Sequence, residues 1–315
     1  KGQRDIHTSK CTPTTDRKTE IFGTPWGKCI TFGDPHVFGF DRPHGPKMNL
    51  FDTGEYYLVN SSELVVQGRF GYAKDYPAFS STVGVAVGGP VLQGHNLYVA
   101  YIGPTPGWGG FKVLWDGKEI LTEMDAQFSS EDGLMSGKLF SVEPTDYHKM
   151  ARDTIGTWGE TLPSYYFTLP GMNLYVLAGY DSANVVIEMQ KLSGGQDGIC
   201  GNFNCDVADD GYDALALRGF ATPLTGATLF SSGPAAPEVQ YKMRKGAVTL
   251  QSCQHELKVK AAEACQAMDE DKEDSCIFDI CAAGTVDVAK GEVTTDLVSQ
   301  GVDQDMAAKE EMMMH

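Results

Sequence analysis

Two short stretches of this sequence combine residue types that can do chemistry. The first is CITFGDPHVFGFD, residues 29–41, in which the Asp34-Pro35 peptide bond is followed by His36. An Asp before a proline can attack its own carbonyl carbon, form an anhydride and expel the proline nitrogen, with a histidine as the acid. Gly33 permits the unusual backbone that this attack needs. Asp34 can equally serve as a metal ligand or as a turn former.

The second stretch is GICGNFNCDVADDGYD, residues 198–213, which crowds oxygen donors into one loop. The donors are Asn202, Asn204, Asp206, Asp209, Asp210 and Asp213. Calcium takes roughly 6 to 8 oxygen ligands, so this loop is of a calcium-binding type. It is not an EF-hand, because Val207 stands at the glycine position and Asp213 at the final Glu. An Asx-rich turn is the alternative, and the loop alone leaves both readings open.

Charge and composition narrow the possible partners. The formal net charge is −17 over 315 residues. Such a charge disfavours nucleic acids and anionic membranes as partners, since both require a basic surface, and it favours divalent cations. The simpler alternative is that most of these carboxylates only keep the protein soluble.

The cysteines predict an oxidising compartment. Eight of them fall in three clusters without a CxxC pair, which favours disulfides over a zinc or redox site. No apolar run approaches the roughly 20 residues of a membrane helix, and the chain begins at Lys1 without an apolar leader. We therefore expect a processed, secreted protein with no membrane span. The sequon at Asn60 is compatible with that route as a glycosylation site.

The sequence predicts that short β-strands hold these residues in place. Aromatic and β-branched runs, broken by Gly, Pro and Asp, cover residues 54–60, 63–70, 81–87, 96–102, 111–121, 138–142, 164–169, 173–180 and 184–190. Within 111–121, Asp116-Gly117 is a hairpin signal. The pattern predicts a mainly β fold, an antiparallel sandwich or flattened barrel.

The composition changes after about residue 245, where Ala, Glu and Lys predict two helices joined by an acidic linker, Asp269 to Asp274. In such a helical hairpin the nested pairs Cys265–Cys276 and Cys253–Cys281 are geometrically easy, although eight cysteines allow on the order of a hundred connectivities. We expect a β-sandwich domain followed by a small disulfide-linked α-helical module. The predicted boundaries are an extension (1–28), the β-domain (29–222), a connector (223–245), the helical module (246–300) and a tail (301–315).

Together these stretches resemble the von Willebrand factor type D domain, a module of gel-forming mucins and related extracellular proteins. The resemblance is carried by Cys29 and by GDPHVFGFD (33–41), FDTGEYYL (51–58), LPGMNLYVLAGY (169–180) and GICGNFNCDVADD (198–210). It covers roughly residues 29 to 220. The later helices resemble a reduced form of the cysteine-rich module that often follows this domain.

The resemblance implies a calcium site and a disulfide framework. The implied side-chain ligands are Asp34, Asn202, Asn204, Asp209 and Asp210, with the backbone carbonyl of Asp206. It also implies a Cys29–Cys200 bridge, after which we pair Cys11 with Cys205 by elimination. Two departures matter: Asp197 stands where the family has the first Cys of a CxxC, and the Cys often found near Tyr56 is missing. The local bridges of mucin-like assemblies are therefore expected to differ here.

Two functions follow as expectations. The first is a secreted, calcium-binding structural or adhesive module, whose partners are other extracellular structural proteins or copies of itself. The alternative is self-cleavage at Asp34-Pro35, with His36 as the acid, which would expose a new terminus or binding surface. The two compete, because a carboxylate bound to calcium is a poorer nucleophile. A conventional enzyme is not expected: there is no nucleophile elbow, phosphate-binding loop or dinucleotide signature.

Overall fold

The computed structural model describes residues 22–33, 35–41, 48–49, 53–72, 80–101, 111–142, 162–178, 183–232, 253–266, 268, 270–289, 292–293, 295–296 and 299. Most of the predicted β-domain and of the helical module is therefore described. Cys11, Asp34 and the predicted tail lie outside these residues.

Within the described residues, fourteen strands form one antiparallel sheet. They are β1 (Phe22–Phe32), β2 (His36–Phe38), β3 (Met48–Asn49), β4 (Gly54–Asn60), β5 (Val65–Tyr72), β6 (Ser80–Gly88), β7 (Leu97–Tyr101), β8 (Phe111–Trp115), β9 (Lys118–Ile120), β10 (Gln127–Ser129), β11 (Ser136–Val142), β12 (Leu162–Leu169), β13 (Met172–Ala178) and β14 (Ala183–Leu192). The main path runs β10-β11-β12-β13-β14-β6-β7-β8-β9, with β4-β5 joined to β6 and β1-β2-β3 joined to β14. The sheet is nearly closed and barrel-like.

Both faces of the central strands carry apolar side chains, and successive residues of a strand belong to different clusters. In β14, Val185 and Ile187 point into the main core, whereas Val186 between them belongs to a second cluster on the other face. In β1, Cys29 belongs to the main core and Ile30 belongs to this second, outer cluster. Successive side chains of a strand point to opposite faces, so the outer face needs its own cover.

The prediction of a mainly β, antiparallel chain is confirmed, and most predicted runs match strands within two residues. The hairpin at Asp116-Gly117 is also confirmed: both residues have positive φ, 50° and 79°, as a tight turn between β8 and β9 requires. Four strands were not among the predicted runs: β1, β2 and β3, which precede residue 54, and β10, where Gln127–Ser129 has only one apolar residue.

Three α-helices are described over their full bounds: α1 (Tyr212–Leu217), α2 (His255–Cys265) and α3 (Glu270–Ala283). Residues 289, 292, 293, 295, 296 and 299 are also helical. The expected acidic linker at Asp269 to Asp274 is wrong from Glu270 onward, since these residues form the first turns of α3. Carboxylates are favourable there because the N-terminal end of a helix carries partial positive charge. No helix among the described residues is long and apolar enough to span a membrane.

The helical hairpin covers the outer face of β1, β2, β13 and β14. Disulfides join Cys253 to Cys281 and Cys265 to Cys276, the nested pairing preferred from sequence. The outer cluster combines helix residues such as Ala261 and Ile280 with Ile30 and other sheet residues. The described start of the connector also lies on the sheet, where the Leu224 amide donates to the Glu55 carbonyl at 2.7 Å.

Candidate functional site

Strand pairing brings the two chemically interesting stretches together. β1 pairs with β14, which leads into the acidic loop, and β1 also pairs with β2, which leads to Asp41. The Cys29–Cys200 disulfide, the bond that the type D resemblance implies, links β1 to the start of the loop. Beside it, the Phe40 amide donates to the Cys200 carbonyl at 2.8 Å. Gly39 is required at this approach, because a Cβ there would lie 2.7 Å from the same carbonyl oxygen.

Asp41 is the acid that contacts the loop among the described residues of the first stretch. It is buried, and its two carboxylate oxygens accept the backbone amides of Cys205 at 2.8 Å and Asn204 at 2.9 Å. Burial raises the pKa of Asp41, while these two hydrogen bonds oppose that rise. Asp41 therefore fixes the backbone of the loop and places a carboxylate beside it.

Three of the predicted ligand residues converge on one point. The side-chain amides of Asn202 and Asn204 both donate to Oδ2 of Asp209, each at 2.8 Å. Their own oxygens accept backbone amides of the loop, Asn202 Oδ1 from Asn204 and Asn204 Oδ1 from Asp206. The loop thus winds tightly around Asp209 through these side-chain hydrogen bonds.

Asp210 holds the least satisfied carboxylate of the loop. Its side chain is 2% exposed, and neither oxygen accepts a hydrogen bond of normal geometry from the described residues. Burial, with the charges of Asp41 and Asp209, raises the pKa of Asp210 to about 7, although the Asn202 amide and Arg218 act in the opposite direction. Its carboxylate fills the space beside Gly201, where a Cβ would lie 2.3 Å from Oδ2.

Phe203 anchors the loop between its two asparagines. It is buried, has a positive φ of 56° and stacks on Phe40 with ring centroids 5.2 Å apart. Its ring also lies where a Cβ of Gly27 would be, 2.4 Å from Cζ. A buried aromatic in a positive-φ position needs support from its surroundings, and β1 and Phe40 provide it.

Not every predicted site residue lies in this cluster. The Asp206 carbonyl, predicted as a ligand, accepts the Asp209 amide at 3.3 Å, while its side chain accepts the amide of Ala208. Cys205 is disulfide-bonded, but Cys11 and Asp34 lie outside the described residues. Asp41 was missed in the sequence reasoning, although it ends the stretch singled out there.

The residues after Asp34 form a second buried polar contact. Nε2 of His36 lies 3.0 Å from Oδ1 of Asp279 in α3, and both side chains are 1% exposed. Gly33 has a φ of 64°, and a Cβ there would lie 1.9 Å from Asp279 Oδ2. Pro35 is buried in the same turn. The helical module thus closes over the Gly33 to His36 turn, a contact that sequence spacing could not reveal.

The glycosylation candidate lies near the start of the loop. Asn60 ends β4, is half-buried, and exchanges backbone hydrogen bonds with Asp197 at 2.7 and 2.9 Å. Ser62, the hydroxyl residue of the sequon, is exposed.

The donor chemistry of the loop suits a hard cation. Carboxylates, amide oxygens and carbonyls are the ligands that calcium prefers. The buried oxygens of Asp210 and Oδ1 of Asp209 accept no hydrogen bond from the described residues, so they have coordination capacity to spare. No group of three His, Cys, Asp or Glu side chains in the described part of the chain has ready metal-binding geometry. Asparagine, whose side-chain oxygen can also bind calcium, is not one of these four residue types.

Comparisons with known proteins add no family assignment. Neither the family models nor the curated proteins give a match to this chain. The type D resemblance therefore stays a prediction from the motifs, and the function is argued from the site.

Proposed function

We propose that this chain is a secreted, calcium-binding, disulfide-stabilised structural or adhesive module of an extracellular assembly. The observation that carries the proposal is the buried Asp210 carboxylate: its oxygens accept no hydrogen bond of normal geometry from the described residues, the charges of Asp41 and Asp209 act on it, and Arg218, 3.6 Å away, compensates it only in part. Burying a charge without compensation is costly, and a bound cation removes that cost.

The residues proposed to hold the calcium ion are Asp41, Asp209 and Asp210, together with Asn202 and Asn204, whose side-chain amides would turn from Asp209 so that their oxygens face the ion. A calcium ion would supply the positive charge that offsets three neighbouring carboxylates. The chain's own contribution is to fix their positions: Asp41 through the amides of Asn204 and Cys205, and the loop through the Cys29–Cys200 bond. Asp34 and the Asp206 carbonyl remain predicted ligands from the type D resemblance.

The structural role follows from where the site would lie. A calcium ion here would tie the segment after β2 to the loop after β14, which are 163 residues apart at Asp41 and Asn204. The disulfides are compatible with an oxidising, extracellular location. A type D-like sandwich with a docked cysteine-rich module is the finer architecture that we propose. The partners that we propose for it are other extracellular structural proteins or copies of this chain.

Thermal unfolding with and without calcium tests this proposal. A ligand that binds only the folded state raises the melting temperature in proportion to the logarithm of its concentration. We expect chelator to lower the melting temperature by several degrees, on the order of 1 to 3 kcal/mol of unfolding free energy, and added calcium to restore it. Identical melts in chelator and in calcium would overturn the proposal.

The His36 contact supports a second candidate, self-cleavage at Asp34-Pro35. In this reaction the Asp34 carboxylate attacks the Asp34 carbonyl carbon, and the bond to the Pro35 nitrogen breaks. The proton held by His36 passes to that nitrogen, and water then opens the anhydride. Oδ1 of Asp279, 3.0 Å from Nε2 of His36, orients the imidazole close to the Asp34-Pro35 bond.

Intact mass measures this reaction directly. Cleavage would yield two fragments that separate after disulfide reduction, and it would be faster at mildly acidic pH without calcium. A chain that stays unbroken in both conditions would remove the second candidate and leave the calcium proposal untouched.

A further inference from the structure

We propose that Arg218 is a positioning residue of the calcium site, whose guanidinium clasps the two ends of the loop 197–210 and fixes Asp209 and Asp210 before calcium binds. This inference rests on the calcium-binding function proposed above. Arg218 was not singled out from the sequence.

The guanidinium contacts both ends of the loop. At the start of the loop, Nε lies 2.9 Å from Oδ2 of Asp197, and Nη2 donates to Oδ1 of the same carboxylate at 3.1 Å. At the end of the loop, Nη1 donates to the backbone carbonyl of Asp209. Nη2 also lies 3.6 Å from Oδ1 of Asp210. One planar side chain therefore contacts both ends of the loop, through hydrogen bonds from Nη1 and Nη2 and an ion-pair contact from Nε.

Asp197 and Arg218 are each held in place by backbone hydrogen bonds. Asp197 exchanges two backbone hydrogen bonds with Asn60 at the end of β4, so the start of the loop is held by the sheet. Arg218 follows α1 directly, and its backbone amide donates to the Ala214 carbonyl at 3.1 Å. The short helix thus turns the chain back and returns residue 218 to residue 197.

The contact between Arg218 and Asp197 can hold the start of the loop beside the Cys29–Cys200 disulfide. The ion pair is 26% exposed on each side, so it is a surface clasp and not a buried bond.

Two effects of Arg218 on calcium have opposite signs. A positive charge near the site repels a cation, whereas a fixed loop lowers the cost of ordering the ligands. The Asp197 carboxylate largely neutralises the guanidinium, so the charge effect is reduced and the positioning effect decides. Residues that orient metal ligands typically change metal affinity by roughly 10- to 100-fold.

Calcium affinity, measured by titration well below the melting temperature, separates these effects. We expect Arg218→Lys, which keeps the charge but loses the planar guanidinium, to bind calcium on the order of 10-fold more weakly than the wild type. Asp197→Asn should weaken binding similarly, and the double variant should lose little more than either single variant. Arg69→Lys is the control, because Arg69 also contacts one carboxylate through Nε and Nη2, both of which donate to Oε1 of Glu55 between β4 and β5. Its calcium affinity should be unchanged.

A second readout needs no calcium. In chelator, amide hydrogen exchange across residues 202–210 should be faster in Arg218→Lys than in the wild type or in Arg69→Lys. Wild-type affinity in Arg218→Lys and Asp197→Asn, or tighter binding in Arg218→Gln, would overturn the positioning role while leaving the calcium proposal intact. A wild type that binds no calcium would instead overturn the proposed function and this role together.

Discussion

At the residue scale, the site contains two buried acids in contrasting situations. Asp41 accepts two backbone amides, whereas Asp210 accepts no hydrogen bond from the described residues. A carboxylate that accepts amides helps to fold the loop even without a cation. A buried carboxylate that has no hydrogen bond of normal geometry, and an arginine only at 3.6 Å, is compensated less well, so a bound cation would stabilise it. Substitutions at the two positions should therefore have opposite effects in chelator.

Asp41→Ala should destabilise the calcium-free protein. The substitution leaves the partly buried amides of Asn204 and Cys205 without their acceptor, which costs on the order of 1 kcal/mol. Chemical denaturation in chelator measures the free energy of unfolding. Glu131→Ala, which removes an exposed carboxylate, is the control and should change little. If Asp41→Ala unfolds at the wild-type denaturant concentration, Asp41 does not fix the loop.

Sequence reasoning found most residues of this cluster but not Asp41 or Arg218. The spacing of Asn202, Asn204 and Asp209 is local, so one loop conformation brings them together. Which acid of residues 29–41 faces that loop depends on the β1–β2 pairing and on the turn after β2. The partner of Arg218 depends on the length of α1. Neither long-range relation is encoded in local spacing.

At the element scale, one close contact packs the acidic loop against β1. Gly27 pairs with Met189 of β14, and the Phe203 ring occupies the space above it. An alanine at this position must move a ring that is buried and stacked on Phe40. The glycine is therefore required by packing and not by its backbone conformation.

Gly27→Ala should lower the free energy of unfolding by about 1 to 3 kcal/mol, the usual cost of overpacking. It should also weaken calcium binding, because Phe203 lies between Asn202 and Asn204. Gly194→Ala is the matched control: its Cβ would meet only Ser62 Oγ, at 3.9 Å. Equal stability of the two variants would show that Phe203 does not seat the loop on β1.

A histidine joins three turns at another part of the sheet. His95 precedes β7, and its Nδ1 lies 2.5 Å from Oδ2 of Asp116 and its Nε2 3.0 Å from Oδ2 of Asp132. Asp116 belongs to the β8–β9 turn and Asp132 to the β10–β11 turn. The ring also stacks on Trp115 at 5.3 Å. Because both ring nitrogens face carboxylates, both donate only when the imidazole is protonated.

This contact predicts a pH dependence of stability. The hydrogen bond to Asp116 raises the pKa of His95 above its ordinary value. Stabilisation from a raised histidine pKa is complete below the unfolded value of about 6.5 and is lost as pH rises through the folded value. The Ser130 hydroxyl lowers the pKa of Asp132, so that carboxylate remains ionised in this range.

His95→Gln should therefore reduce the melting temperature relative to the wild type at about pH 5.5 more than at about pH 8.5. The effect should be small and should shrink in high salt, because all three side chains are partly exposed. His255→Gln, at an exposed position, is the control. An equal effect of His95→Gln at both pH values would contradict the assignment.

At the scale of the whole molecule, the β-architecture was predictable and the docking of the helices was not. Alternation and turn residues located most strands, because each strand's burial pattern is local. The helices contact the sheet mainly through small residues such as Ala261, Ala264 and Cys265, whose pattern does not indicate a packing face. The His36–Asp279 contact joins positions 243 residues apart, so it emerges only from the fold.

The function proposed for the whole molecule depends on one calcium ion that joins distant segments of the sheet. Isothermal titration of calcium into the chelator-treated protein tests that claim most directly, with Asp210→Asn and Asp213→Asn as a matched pair. Asp213 is an exposed carboxylate three residues beyond Asp210. In chelator, Asp210→Asn should fold and melt at or above the wild-type temperature, because it removes a buried charge without hydrogen bonds.

The expected result is one calcium ion bound per chain in the wild type and in Asp213→Asn, and at least about 100-fold weaker binding in Asp210→Asn. Calcium binding that survives Asp210→Asn unchanged, or that the wild type lacks, would contradict the account.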